Sequence, residues 1–446
     1  MATKRIPNDG LAALLDEAKW SRSQLANRVN RLGAEAGLTL KYDHSAVSHW
    51  VAGTQPVEQV RPLVVEAFAR RLGRPVTYAE TGFARPPDQD GDMIEDLMDT
   101  SRADMDPSRR RMLASGVYSA ALAVPLFADL VPEKERAERP ATRPTGRIGA
   151  GEVTTIRTMT NRIADILDEL GGGHARPMAA AFLVNTVGPW LRADATPAVK
   201  KDLLAAASDL VYLTGWMAMY ERQQALGQRY YVKALHLAGE AEDYVTYCRT
   251  LRGMSLQAAH LGYGPKALQL ADSAAEAAAR GGGPRLRAFL RGMQAHAASM
   301  TGDRAQATRR LDEADSALSQ ADERRESIGG YDRTAWLFHQ AHVLWEIKDY
   351  PGSIRALQHS IRIQHPQERQ GRVHSYALLA ERQLAYGHLE AACESWTHFL
   401  EHYEQLSTAR GDEHFAAMRR KLRPHATVRA VRQLTHAADQ VAALKA

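Results

Sequence analysis

The side chains best suited to direct hydrogen bonding with a partner fall in one short segment near the N-terminus. His44, Ser45, Ser48 and His49 lie in the stretch HSAVSHWVAG. Imidazole and hydroxyl groups can both donate and accept hydrogen bonds. At helical spacing these four side chains lie away from the apolar Val47, so we expect them to be exposed. The stretch therefore predicts a short helix with one apolar face and one hydrogen-bonding face.

This helix is predicted to be the third of four that form one small core. The first covers 9–19, and the second follows Ser21, which with Gln24 has the spacing of a capping box. Asp43 is a suitable N-cap for the third helix, and the fourth covers 58–72. The residues predicted to point into this core are Leu11, Leu14, Leu15, Ala18, Leu25, Ala26, Val29, Leu32, Val47, Trp50, Val51, Val60, Leu63, Val64, Phe68 and Leu72.

The order and spacing of these helices resemble the helix-turn-helix of Cro/phage-repressor-type (Xre-like) regulators. The matching residues are Leu25 and Ala26 in the second helix and Ser45, Val47, Ser48, Trp50 and Gly53 in the third. The sequence departs from the family between Val29 and Asp43, where NRLGAEAGLTLKY replaces the usual tight turn.

The resemblance implies that the third helix enters the major groove of double-stranded DNA. His44, Ser45, Ser48 and His49 would then contact base edges. Arg22, Gln24 and Lys41 would contact phosphates. Because the block lacks a long basic tail, a monomer would bind weakly, and we expect a homodimer on a two-fold site.

The second half of the chain repeats with a countable period. Turns are predicted to start at 222, 262, 302, 348 and 387, so successive starts are 40, 40, 46 and 39 residues apart. Small residues recur seven residues before and five residues after each start, which lets two helices approach closely. The residues before the starts are Gly215, Ser255, Ala295, Ala341 and Ala380, and those after them are Gly227, Ala267, Ala307, Ser353 and Ala392.

This pattern resembles tetratricopeptide repeats, with a period longer than the usual 34 residues. The resemblance implies that the first helix of each pair lines a concave, ligand-binding face. The ligand would be a peptide, a small molecule or a protein partner. The candidate ligand-binding residues are Tyr212, Trp216, Arg249, Arg252, Phe289, His296, Phe338, His342 and Trp345. For each residue alone, packing in the helical core is the alternative.

The chain has 446 residues and a formal net charge of +5, a mild excess that is compatible with a polyanionic partner. We predict an all-α protein with a helix-turn-helix domain at 1–83, a linker at 84–150, a repeat domain at 151–411 and capping helices at 412–446. Residues 109–127 within the linker are predicted to form an apolar helix that begins the second domain or mediates dimerisation.

No catalytic motif, metal-ligand set or phosphate-binding loop is recognisable in the sequence, so we expect no enzymatic activity, metal or cofactor. His398 and His402 are four residues apart but lack a third metal ligand. Cys248 and Cys393 are predicted to be buried free thiols. With no secretory signal and no apolar segment of membrane-spanning length, a cytoplasmic location is expected.

Helix-turn-helix and tetratricopeptide repeats together resemble two kinds of regulator: peptide-responsive quorum-sensing regulators, and actinobacterial regulators of development and antibiotic production. The resemblance implies a transcriptional regulator, such as a repressor, that is controlled by a ligand. The alternative is a scaffold or anti-regulator that acts through protein–protein contacts without sequence-specific DNA binding.

Overall fold

The computed structural model describes residues 7–35, 38–72, 74, 76–84, 92–106, 118–120, 122, 124–131, 148–278, 283–321 and 330–445. Helices account for the secondary structure of these ranges, which contain no β-strand, and the predicted all-α class is confirmed. Over the same ranges no helix has the length and apolar character needed to cross a bilayer. The chain divides into two compact units, one of residues 1–125 with 223–229 and one of residues 126–222 with 230–446.

The first unit packs its helices around one apolar core. Its helices are α1 (Asp9–Ala18), α2 (Arg22–Glu35), α3 (His44–Val51), α4 (Arg61–Leu72, preceded by a 3₁₀ turn at Glu58–Val60), α5 (Tyr78–Thr81) and α6 (Met93–Met105). Leu11, Leu25, Val29 and Val47 have no exposed surface in this core. The predicted apolar faces of the first four helices are therefore confirmed.

Side-chain caps define where the first helices begin. The Asn8 side chain accepts a hydrogen bond from the Leu11 amide (2.9 Å) at the start of α1. At the start of α2, Gln24 Oε1 accepts from the Ser21 amide (2.7 Å) and Ser21 Oγ accepts from the Gln24 amide (3.2 Å). Asp43 Oδ1 accepts from the Ala46 amide (3.0 Å) before α3. The predicted caps at Ser21 and Asp43 are confirmed.

Some of the extra residues between Val29 and Asp43 extend α2 to Glu35, and the described residues 38–42 include contacts to α2. The Asn30 side chain donates to the Tyr42 carbonyl (2.7 Å) and accepts from the Tyr42 amide (2.9 Å). Leu40 lies so close to Gly33 that a Cβ there would be 2.5 Å from Leu40 Cδ1. These contacts attach the segment before α3 to the side of α2, and thereby position α3.

The predicted apolar helix over 109–127 falls largely outside the described residues. The described residues from 118 to 126 are not helical, which corrects the C-terminal part of the prediction. Pro125 accounts for the non-helical conformation of Val124, because proline disfavours helix at the preceding residue. A separate short helix, α7 (Phe127–Leu130), follows.

The remaining helices form a series of packed pairs. They are α8 (Ala150–Leu170), α9 (Gly172–Phe182), α10 (Gly188–Arg192), α11 (Pro197–Tyr220), α12 (Gln224–Glu240), α13 (Tyr244–His260), α14 (Gly264–Ala278), α15 (Pro284–Met300), α16 (Arg304–Leu318), α17 (Arg333–Glu346), α18 (Tyr350–Ile363), α19 (Arg369–Ala385), α20 (Leu389–Tyr403), α21 (Ala409–Leu422) and α22 (Arg429–Lys445). A π-helical turn, Leu183–Val187, joins α9 to α10.

Every predicted turn start has a left-handed backbone conformation. The φ angles are +60° at Arg222, +81° at Gly262, +85° at Gly302, +75° at Lys348 and +94° at Gly387. A left-handed residue commonly ends a helix because it redirects the chain while satisfying the last carbonyl groups. The five predicted turn positions are therefore confirmed.

The small residues on either side of these turns bring paired helices into close contact. Ser255 Oγ donates to the Ala267 carbonyl (2.8 Å), and Ser353 Oγ donates to the Ala341 carbonyl (2.9 Å). Further from the turns, equivalent side-chain-to-carbonyl bonds join Ser208 to Ala234 (2.7 Å), Cys248 to Ala274 (3.2 Å) and Ser360 to Thr334 (3.0 Å). Larger side chains at these positions would separate the helices.

The C-terminal part of the second unit packs against its first helices. The Ser407 amide donates to the Leu170 carbonyl (2.9 Å), and the Gly173 amide donates to the Ser407 carbonyl (2.9 Å). Glu221 Oε2 accepts from the Ala409 amide (3.0 Å). Gly171 permits this approach, because its φ is +91° and a Cβ there would be 2.4 Å from the Ser407 oxygen.

Substitutions at two equivalent turns are expected to have opposite effects. Gly302→Ala should cost about 1 kcal/mol, because φ is +85° and no atom within 4 Å would clash with the added Cβ. Lys348→Gly should give a gain below about 1 kcal/mol, since glycine also increases the entropy of the unfolded chain. Urea unfolding of the two variants measures both effects. Wild-type stability for Gly302→Ala would contradict the left-handed assignment.

Candidate functional site

The exposed face of α3 carries the four predicted base-contacting side chains. His44, Ser45 and His49 are exposed, whereas Ser48 is half-buried. Ser48 Oγ donates to the His44 carbonyl (2.8 Å) and accepts from Arg22 Nη1 (3.1 Å). Arg22, a predicted phosphate contact, is therefore hydrogen-bonded to Ser48, a predicted base contact. Both of these hydrogen bonds of the Ser48 hydroxyl are made within the protein.

The other two predicted phosphate contacts lie on either side of this face. Lys41 is exposed in the connection that Asn30 holds against α2. Gln24 is exposed in the first turn of α2, where its side-chain oxygen caps Ser21. Its amide nitrogen remains the donor that can reach a partner.

A basic pocket of about 490 Å³ opens between α2 and α4. The described residues of its lining are Trp20, Gln24, Asn27, Arg28, Arg31, Arg70 and Arg71, which supply four guanidinium groups and no carboxylate. Arg70 is neutralised by Glu35 and Glu66, each at 2.7 Å. Arg71 Nε donates to the Ala18 carbonyl (3.0 Å), which fixes its side chain.

The sequence alone indicates only part of this pocket. Arg28 and Arg31 are three residues apart on the polar face of α2, and this spacing was the available signal. Arg71 comes from α4, so its position beside them depends on tertiary packing. The pocket fits a phosphate group, because guanidinium groups bind phosphate oxygens well.

The second unit contains a central cavity of about 960 Å³. Four of the nine predicted ligand-binding residues line it, namely Tyr212, Trp216, Arg252 and Phe338. Tyr220, which the sequence analysis did not select, extends the aromatic surface, with its ring centroid 5.2 Å from that of Trp216.

The other five predicted residues do not line the central cavity. Arg249 forms an ion pair with Asp209, and Phe289 is buried beneath the guanidinium of Arg252 at 4.0 Å. Trp345 packs under Arg382 at 5.1 Å. The imidazoles of His296 and His342 pack against each other, with ring centroids 4.4 Å apart. Each of these five residues contacts other side chains of the second unit.

His296 and His342 belong to a histidine–arginine cluster in the interior of the second unit. Its members are His260, His296, His339, His342, His374, His414, Arg382 and Arg410. Arg410 donates to His260 (3.2 Å to Nδ1) and to His374 (3.3 Å to Nε2). The rings of His374 and His414 meet through their Nδ1 and Nε2 atoms at 3.0 Å.

Burial lowers the pKa of five of these imidazoles, those of His260, His296, His339, His342 and His374. Burial first, and then the nearby Arg382, lowers the pKa of His296 to about 4. Burial followed by Arg410, His414, His260 and Arg382 lowers the pKa of His374 well below its usual value. Burial followed by His296 and Arg252 does the same to the pKa of His339. The members lie on five helices, α13, α15, α17, α19 and α21. The periodicity within any one helix therefore does not indicate the cluster.

Histidine, cysteine and carboxylate side chains also occur elsewhere in the described residues. Within them, no group of three or more His, Cys, Asp or Glu side chains is arranged to hold a metal ion. Cys248 and Cys393 are buried free thiols, as predicted. Burial followed by Asp243 raises the pKa of the Cys248 thiol to about 12, so it is protonated and unreactive at neutral pH.

Comparison with known families gives a match in the N-terminal part of the chain. Residues 11–84 match the SP15 N-terminal domain. The SP15 match covers the core of the first unit, from Leu11 to Phe83. None of the curated proteins compared with the chain matches it.

Proposed function

We propose that the protein is a non-enzymatic, sequence-specific DNA-binding transcriptional regulator whose second unit takes up a ligand. The observation that carries the proposal is the exposed polar face of α3 on the same small unit as the basic pocket. In this proposal α2 and α3 form an Xre-like helix-turn-helix, in which α3 enters the major groove.

The proposed division of labour follows from the side-chain chemistry. His44, Ser45 and His49 contact base edges, because imidazole and hydroxyl groups can match donors and acceptors there. Arg28 and Arg31 join Lys41 as phosphate contacts. Ser48 positions the guanidinium of Arg22, because their 3.1 Å hydrogen bond fixes it beside α3. The partner is double-stranded DNA, bound by a homodimer.

The second unit is proposed to be a tetratricopeptide-like repeat domain. The left-handed turn residues and the close contacts between paired helices support this proposal. The central cavity supports a ligand-binding role, since its size is at the upper end of the range for drug-sized ligands. Ligand uptake would change the affinity of the first unit for DNA.

The phosphate contacts can be tested without knowing the binding sequence. Replacing Arg28 and Arg31 together with Gln should reduce the slope of log K against log salt concentration by about 2, since each lost phosphate contact removes about 1. Fluorescence anisotropy with a random-sequence duplex measures the slope. Arg309→Gln, at an exposed position in the second unit, is the matched control.

The control variant should keep the wild-type slope. An unchanged slope in the double variant would remove the basic pocket from the proposed interface. Absence of any salt-dependent binding by the wild-type chain would instead favour a scaffold that acts through protein–protein contacts.

A further inference from the structure

One side of the central cavity is formed by aromatic rings that follow each other along α11. The ring centroids of Tyr212 and Trp216 are 6.4 Å apart, and those of Trp216 and Tyr220 are 5.2 Å apart. Phe338 on α17 adds a fourth ring to the lining. Such a surface takes up the apolar body of a ligand and can also face a cation.

Arg252 presents a positive charge to this cavity. Its guanidinium carbon lies 4.0 Å from the Phe289 ring centroid and 5.3 Å from that of Trp216. Within the described chain it has neither a hydrogen bond nor an ion pair. A guanidinium placed between two rings is held in position and keeps its donors for a carboxylate.

The other arginines of the cavity are already engaged. Arg162 lies 3.6 Å from Asp165, and Arg285 donates to the Tyr331 carbonyl (3.0 Å). Arg333 forms an ion pair with Asp315. Arg252 is therefore the guanidinium best placed to take an anionic group from a ligand.

Asp168 presents a negative charge to the same cavity. Its carboxylate has no hydrogen bond or ion pair with any described residue. Burial, followed by the negative charges of Glu368 and Asp165, raises its pKa to about 7. A protonated amine at this carboxylate would offset both the burial and the repulsion.

Tyr220 links the two charged positions. The pKa of the Tyr220 phenol is raised, mainly by burial. The positive charges of Arg410 and Arg252 oppose this increase, and Tyr212 and Asp168 add to it. Both Arg252 and Asp168 are thus within electrostatic reach of one ring. A ligand that lies along Tyr220 and Trp216 can reach both charges.

We propose that the central cavity binds a small zwitterion of the amino-acid or short-peptide type, with its protonated amine at Asp168 and its carboxylate at Arg252. Its apolar part lies against Trp216 and Tyr220. The inference rests on the proposed sensing role of the second unit, whose ligand class it names. Its test measures ligand retention without DNA. A negative result would therefore contradict this inference without contradicting the proposed DNA binding.

The test uses the full chain and a defined mixture of zwitterions, from free amino acids to unblocked pentapeptides. Two matched copies of the mixture have their amines acetylated or their carboxylates amidated. Retained compounds are measured by mass spectrometry after rapid gel filtration. Each blocked copy of a retained compound should bind about tenfold more weakly or worse, because one charge-assisted pair is lost.

Two variants assign the two ends of the ligand. The Asp168→Asn variant should bind free and amine-acetylated compounds equally well, but should still bind amidated compounds more weakly. The Arg252→Gln variant should bind free and carboxylate-amidated compounds equally well, but should still bind acetylated compounds more weakly. Glu169→Gln, an exposed residue of the same lining, should keep both preferences. Retention of none of the mixture, or equal retention of free and blocked compounds, would overturn the proposal.

Discussion

Lowering the pH from about 7.5 to about 5 is expected to reduce the stability that His296 contributes to the second unit by about 2 kcal/mol. The reason is that His296 is buried with a pKa lowered by burial. In the unfolded chain a histidine titrates near 6.5. Below that pH the unfolded state binds protons that the folded state excludes, so stability is lost as the pH falls.

The size of the effect follows from one histidine at a time. With a folded pKa of about 4, His296 alone removes about 2 kcal/mol between pH 7.5 and pH 5. Replacing His296 with Gln should therefore reduce the pH-dependent loss by about 2 kcal/mol.

Urea unfolding followed by tryptophan fluorescence measures this loss. Five of the seven tryptophans lie in the second unit, at positions 190, 216, 336, 345 and 396. His359→Gln, at an exposed position on α18, should retain the wild-type pH dependence. Equal pH-dependent losses for the wild type and His296→Gln would show that His296 is not held neutral.

Trp50→Ala is expected to destabilise the first unit by about 3–5 kcal/mol and to abolish DNA binding. Trp50 is buried on the inner face of α3, with its ring centroid 5.1 Å from that of Tyr42 and 6.5 Å from that of Phe83. Removing the indole leaves a cavity beneath the helix proposed to enter the major groove. The cost is large for a unit of this size.

Hydrogen exchange read by mass spectrometry can locate the effect. Amides of α2 and α3 should exchange faster in Trp50→Ala, while peptides from α13 to α20 should keep their wild-type protection. Val57→Ala, at an exposed apolar position of the same unit, is the control and should leave exchange and DNA binding unchanged. Wild-type protection of α3 in Trp50→Ala would contradict its assigned position in the core.

Sequence patterns predicted the helix caps, turns and apolar helix faces, which depend on residues close together in the chain. The Ser21–Gln24 capping box, the Asp43 cap and the five turns were predictable because each depends on residues close together in the chain. The apolar period of the first four helices predicted their buried faces for the same reason.

Features that depend on packing across the chain were not predicted. Arg28 and Arg31 come from α2 and Arg71 from α4, so the spacing within α2 indicates only part of the basic pocket between α2 and α4. Asp168 on α8 and Arg410 on α21 lie outside the span in which the repeat was counted. His296 and His342 have the helical spacing of groove residues, but their helices direct them into the interior cluster instead.

The most direct test of the account is selection of duplex DNA from a randomised library by the full chain at near-physiological salt. We predict a recurring motif with two-fold symmetry. His49→Ala should relax base preference at defined positions of that motif, while Arg22→Gln should weaken all sequences alike. If no motif is enriched, or if the motif is the same after replacement of His44, Ser45 and His49 with Ala, then α3 does not read DNA and the central claim is wrong.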